Sequence, residues 1–489
     1  MKRASGILLH ISSLPSRHGI GTLGLPAYEF ASFLKKSGQS YWQVLPLGPT
    51  GAGWSDSPYM SFSSFAGNPN FIDLDTLTHQ GYLTEAELFS VDFGQDAEHV
   101  DFDKLNAHRM DMLRLAFSRI RPETEAELDA FMQEHASWLE DYCLYMALRE
   151  ENNELPWCDW EEPIRMREEE ALREAKLRLR DTIRFHAFLQ MLFRVQWGQL
   201  RYYLKELGIR VIGDLPIYVP YDSADVWADP DMFLLDERCR PEVISGVPPD
   251  YFSEDGQLWG HPIYNWDAMW RDNYKWWRRR MAAQAELFDV VRIDHFRALA
   301  SYWTIPYGEK TAKNGRWNRG PGIEFVRMLQ KEFPDTQFIA EDLGLLTDDV
   351  IQLLEESGLP GMKVLEFAFT PGANSAYLPH NHVKNCVVYV GTHDNMTAAQ
   401  WLEEEEEDAA FAKDYLGEAT VEELLRVGYS SVADLFVSTM QDWLGLGAEA
   451  RMNTPSTVGN NWNWRIKLGD FNDELAARIR KITERYARI

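Results

Sequence analysis

Three short stretches carry side chains that can do chemistry together: FDVVRIDHFR at 288–297, QFIAEDL at 337–343 and CVVYVGTHDN at 386–395. Each opens as an apolar run, with Phe288, Val290, Val291 and Ile293 in the first. Such runs read as buried strands of a parallel sheet. Each run ends in charge: Arg292, Asp294, His295 and Arg297 in the first, Glu341 and Asp342 in the second, His393 and Asp394 in the third. Charge where a buried strand stops fits the C-terminal mouth of a barrel, where the following loops build active sites. An ion-pair network capping a core strand gives the first stretch the same appearance. Three strands ending in carboxylates favour one shared acidic pocket. Two carboxyl groups about 5–5.5 Å apart can break a glycosidic bond with retention: one attacks the anomeric carbon, and the other protonates the leaving oxygen and later deprotonates the acceptor. Arg292, two residues before Asp294, shares its strand face and would keep it ionised and nucleophilic. Glu341 must instead hold a proton near neutral pH, which an apolar setting promotes.

These groups need strands and helices in alternation to hold them. Asp294, Glu341 and Asp394 follow one another at intervals of about one or two βα units, so all three can ring one barrel mouth. The remaining strands are expected at 6–14 (GILLHISSL), 41–47 (YWQVLPL), 208–219 (GIRVIGDLPIYV), 361–369 (GMKVLEFAF) and, as the eighth, 448–458 (AEARMNTPSTV). Amphipathic helices fall between them, such as 27–36 with Phe30, Phe33 and Leu34 on one face. The expected fold is α/β, a single (β/α)8 TIM barrel over 1–489. Residues 76–207 read as an inserted, mainly helical subdomain that completes one wall of the cleft. A helix at 472–487 ends the chain, and no C-terminal β-domain is expected.

Two long loops stand out, because long loops in compact domains tend to be functional. The first, 48–70, holds Asp56, Ser57, Pro58 and Tyr59; the tyrosine either stacks on a ligand or packs the loop. The second, 246–260 (GVPPDYFSEDGQLWG), combines Pro248 and Pro249 with Tyr251, Phe252 and Trp259 between glycines, which suits a lid with aromatic tips. The acids Asp222, Asp225, Asp229 and Asp231 lack the spacing of a calcium loop and read as loop caps.

Composition limits the partners. A formal net charge of −27 argues against nucleic acid and anionic membranes. The 18 tryptophans suit sugar-binding faces as well as core filling. Cys143, Cys158, Cys239 and Cys386 show neither zinc nor disulfide spacing. No phosphate-binding glycine motif appears, so no cofactor and no metal is expected. The apolar run near the N-terminus is too short for a signal peptide, and the expected location is the cytoplasm.

The chain resembles the amylomaltases, the disproportionating 4-α-glucanotransferases of the α-amylase clan. The motifs that carry the resemblance are RIDHF at 292–296, AEDLG at 340–344 and GTHDN at 391–395. Further support comes from GILLHISSLPS at 6–16, WSDSPYMSFSSFAGNP at 54–69, GDLPIYV at 213–219, the 246–260 stretch and RMNTPSTVGNNWNWR at 451–465. The resemblance implies Asp294 as nucleophile, Glu341 as general acid/base and Asp394 as transition-state stabiliser. It implies that Arg292 and His393 hold the sugar at the cleavage subsite. Ser57, Tyr59, Asp214, Asp250, Trp259 and Asn463 would line neighbouring subsites. The substrates implied are an α-1,4-glucan donor and glucose or another α-glucan as acceptor.

Overall fold

The computed structural model describes residues 2–249, 253–344, 346–370 and 375–489. Its strands, in chain order, are β1 (Ala4–Leu8), β2 (Tyr41–Gln43), β3 (Arg210–Leu215), β4 (Val243–Val247), β5 (Gln257–Pro262), β6 (Val290–Ile293), β7 (Ser301–Pro306), β8 (Arg316–Arg319), β9 (Gln337–Ala340), β10 (Gly361–Val364), β11 (Cys386–Tyr389) and β12 (Leu435–Thr439). Eight of them form one parallel sheet in the order β10-β11-β12-β1-β2-β3-β6-β9. The seam between β9 and β10 is bridged by the Ala340 N–H on the Pro360 carbonyl at 2.9 Å. There the Asp342 carboxylate also accepts the Met362 N–H at 2.6 Å, as a strand carbonyl would. The result is a (β/α)8 barrel.

Alternation along these strands gives the barrel two different ends. A separate apolar cluster fills the lumen, with Ala4, Leu8, Tyr41, Ile212, Val290, Ile339, Met362, Val364, Val387, Tyr389, Leu435 and Val437. Period-two side-chain placement carries these series upward: Ile212 to Asp214, Val290 to Arg292 and Asp294, Ile339 to Glu341, Tyr389 to Gly391 and His393. The lumen is therefore dry below and charged at its C-terminal rim. The intervening residues pack outward on the helices, as Val291, Ile293 and Val388 do in the large outer cluster.

The inserted region between β2 and β3 contains the helices Phe102–Phe117, Pro122–Glu134, Ala136–Glu151 and Arg180–Leu207. The last buries Phe185, Phe188, Leu189, Leu192, Phe193, Leu200 and Leu204, a stripe at helical spacing. It ends at Gly208, whose φ of +74° forms the left-handed C-terminal turn, and the chain passes directly into β3. Asp222 accepts the Tyr145 hydroxyl at 2.6 Å and also pairs with Arg149. Asp225 accepts the Ser64 N–H at 2.8 Å, and Asp229 takes Arg279 at 2.6 Å. No helix among the described residues is long and apolar enough to cross a membrane.

Two features depart from the sequence reading. The eighth barrel strand is not 448–458 but Leu435–Thr439, LFVST. A five-residue strand with only three apolar residues, flanked by helices, cannot be told from a helix by periodicity, whereas 448–458 holds Pro455 and lies in a short turn and loop. The second departure is a four-stranded antiparallel sheet in the order β5-β4-β7-β8. Strands β4 and β5 leave from the connection after β3, and β7 and β8 from the connection after β6. The 246–260 stretch is thus partly strand, its two ends belonging to β4 and β5.

Candidate active site

Asp294 follows β6, where its N–H is held by the Leu215 carbonyl of β3 at 3.0 Å. Its carboxylate takes Arg292 Nη1 at 2.8 Å. The same nitrogen reaches both oxygens of Asp214, at 2.7 and 2.8 Å. Arg292 and Asp214 side chains are 4% and 0% exposed, but Asp294 is 29% exposed. The first two form a sealed base, and the third opens to the cleft. Above them, the Tyr59 hydroxyl donates to Asp214 at 2.7 Å and meets His393 Nε2 at 2.7 Å. The Tyr59 ring stacks on the His393 ring with centroids 5.1 Å apart.

Glu341 follows β9. Its carboxylate accepts the His295 N–H at 2.7 Å and the Leu343 N–H at 2.8 Å. The first of these donors depends on an uncommon turn: His295 holds a left-handed φ of +51°, a conformation that costs a non-glycine residue free energy and is held by its surroundings. Asp394 follows β11 and lies 3.3 Å from His393 Nε2. Its other oxygen takes Asn453 Nδ2 at 2.6 Å, and its carbonyl takes Arg451 at 3.2 Å.

Burial pushes the Asp294 carboxyl up to about 7; Arg292 opposes this, and Asp214, Glu341 and Asp394 add to it. Burial also raises Glu341, against Arg292 and the two backbone donors. Arg292 therefore limits the rise of the Asp294 pKa but does not by itself hold it low, in contrast to the expectation from the sequence. Of the two, Asp294 has the direct ion pair, with Arg292, which favours its charged form; Glu341 has none, and its two backbone donors favour its charged form against burial. Asp394 runs the other way. Burial would raise it, but His393 and Asn453 hold it well below the ordinary carboxylate range.

The other expected residues divide. Trp259, on β5, sets its ring edge-on to His295 at 4.7 Å, so the antiparallel sheet reaches over the rim. Asn463 lines a polar cleft of about 460 Å³ with Arg451, Asn460 and Asn461. Ser57 accepts the Tyr59 N–H at 3.3 Å and so shapes the turn that presents Tyr59. Asp250 lies outside the described residues, as do Tyr251 and Phe252. Three contributors went unread in the sequence. Asn453 and Arg451 grip Asp394, and Trp462, at a φ of +64°, packs on Tyr59 and His393 with centroids 5.6 and 6.0 Å away. All three sit in the 451–465 motif, and the mistaken strand at 448–458 obscured the direction of Arg451 and Asn453.

Strand-end carboxyl groups of this kind, one paired with a guanidinium and one cradled by N–H groups, fit a barrel enzyme that works on glycosidic bonds. A family model described as 4-alpha-glucanotransferase matches residues 9–470. The 4-alpha-glucanotransferase of Thermus thermophilus is 47% identical over 505 residues, covering 100% of both chains. That of Clostridium butyricum is 44% identical over 488 residues, covering 98% of this chain and 100% of its own. Amylomaltase from Streptococcus agalactiae in complex with acarbose superposes with a TM-score of 0.96 at 40% identity, over 100% of both chains. The chain belongs to the 4-alpha-glucanotransferase family, and its activity is that transfer, EC 2.4.1.25.

Proposed function

We propose that the transfer proceeds with retention through a glucosyl-enzyme ester on Asp294. The Asp294 carboxylate attacks the anomeric carbon of an α-1,4-glucan, and the bond to the leaving oxygen breaks as Glu341 gives that oxygen its proton. The acceptor, glucose or another α-glucan, then loses a hydroxyl proton to Glu341 while its oxygen displaces Asp294. Asp394, kept ionised by His393 and Asn453, faces the positive charge that develops on the sugar. Tyr59 and His393 hold the sugar at the cleavage point, Arg292 and Asp214 fix Asp294 and Tyr59 from beneath, and Ser57, Asp250, Trp259 and Asn463 serve neighbouring subsites. The observation that carries this reading is that Asp294 is directly ion-paired yet open to the cleft, and lies within the field of Glu341 and Asp394. The test is trapping with an activated fluorinated glucosyl donor. Mass spectrometry should find one glycosyl unit on Asp294; a label on another residue, or none during turnover, would refute the assignment.

The intermediate must prefer a sugar over water. Water at ~55 M is outcompeted only by an acceptor held at high effective molarity in a site that excludes solvent, effects worth about 7–11 kcal/mol. We assign this to the 246–260 lid, whose β5 end carries Trp259 against His295. Trp259→Ala should lower the ratio of transfer to hydrolysis, read as disproportionation products against new reducing ends. The Tyr251→Ala and Phe252→Ala variants extend the same measurement along the lid. An unchanged ratio in all three folded variants removes the lid from acceptor selection.

A further inference from the structure

Glu366 lies in the turn Leu365–Phe367 that follows β10, and it is 5% exposed. Its N–H donates to the Val390 carbonyl at 3.1 Å. Its carboxyl rests on the bare Cα of Gly391: a Cβ there would fall 2.3 Å from Oε1. That explains the glycine that opens GTHDN, since any side chain would displace Glu366. From Gly391 the chain turns through His393 and Asp394. The Thr392 N–H and hydroxyl both donate to Asn395 Oδ1, at 2.9 and 2.8 Å. Glu366 thus supports the base of the turn that carries two residues of the site.

Its surroundings do not suit a carboxylate. Oε1 is buried and has no hydrogen-bond partner among the described residues. The charged groups that act on it are Asp442 and Glu405, both repelling, and Arg451. Arg451 is already engaged with the carbonyls of Asn453 and Asp394. The Asn395 side chain hydrogen-bonds the carboxyl and favours its charged form, but less than burial opposes it. Asp442 is itself buried, with Oδ2 unpartnered, and burial raises it to about 6. An isolated buried charge is too costly to persist and takes up a proton instead.

We propose that Glu366 is a positioning residue which, as the neutral acid, fills the space against Gly391 and fixes the turn that presents His393 and Asp394 to the sugar. Burial, then Asp442, moves its titration well above the ordinary carboxylate range. The reaction does not consume this proton, which distinguishes Glu366 from Glu341. The inference rests on the assignment of Asp394 to the reaction.

The test compares two replacements of Glu366 in the full-length enzyme, with Asp394→Asn measured alongside. Glu366→Gln keeps shape without ionising and should hold kcat within about twofold, whereas Glu366→Leu should lower kcat by about twentyfold or more with KM within about threefold. The infrared difference spectrum between wild type and Glu366→Gln at pH 7 should show the carbonyl stretch of a neutral carboxylic acid. Loss of kcat in Glu366→Gln as deep as in Glu366→Leu, undiminished kcat in Glu366→Leu, or a carboxylate band in place of the acid band would each overturn the proposal. If Glu366→Leu does not fold, the Gln variant and the spectrum still decide. Full activity in Asp394→Asn would instead refute the role of Asp394, while the infrared band continues to report on Glu366 alone.

Discussion

Asp294→Asn is expected to abolish glucan transfer in a protein that remains folded. The amide keeps the shape of the carboxylate but cannot form the ester, and Arg292 retains Asp214 as its counter-charge at 2.7 Å. Loss of a nucleophile, or of a general acid in Glu341→Gln, removes two to several powers of ten in rate. The two variants should differ in how they respond to the donor. A glucosyl fluoride departs without a proton, so Glu341→Gln should recover formation of the intermediate with that donor, and a small anion such as azide should then release it. Asp294→Asn should recover with neither. More than about a tenth of wild-type turnover in Asp294→Asn would remove it from the nucleophile role, and fluoride rescue of both variants alike would show that the roles are misassigned.

The parts of the molecule that could be read beforehand are those where one local signal had a single physical meaning. β6 announced itself because Phe288, Val290, Val291 and Ile293 are apolar and the charges gather at its end, in Arg292, Asp294, His295 and Arg297. The Arg292–Asp294 pair followed from strand periodicity, and the structure has it at 2.8 Å. β12 escaped because LFVST is short and stands between helices. β4, β5, β7 and β8 all escaped: VISGV contains a glycine, RWNR has no apolar alternation, and the pairing of the four is set by tertiary contact. The grip of Asn453 on Asp394 joins residues on different loops, which no local pattern records. The sign of the effect on Asp294 was also hidden: the sequence shows the neighbouring Arg292 but not the burial and the three acids that outweigh it.

The charge beneath the site supplies the second large effect. In Arg292→Met the Asp214 side chain, 0% exposed, keeps only the Tyr59 hydroxyl as a hydrogen-bond partner among the described residues. Breaking a buried ion pair from one side leaves an uncompensated charge, and the expected loss of stability is about 3–5 kcal/mol. Activity falls for a different reason. Arg292 opposes the rise of the Asp294 pKa, so without it that pKa goes higher still. The ionised nucleophile then appears only at higher pH, and the acid limb of kcat/KM moves in the alkaline direction. On that limb the rate at a fixed pH falls about tenfold for every pH unit the limb moves. The two effects separate in the double variant Asp214→Asn/Arg292→Met. Neutralising Asp214 removes the stranded carboxylate, so the melting temperature should recover part of its loss. The rate should recover only in part, because Asp294 still lacks its cation although it no longer faces the charge of Asp214. A double variant no more stable than Arg292→Met would mean that Asp214 is not the group left unpaired. An acid limb unmoved in Arg292→Met would mean that Arg292 supports the barrel without tuning the nucleophile.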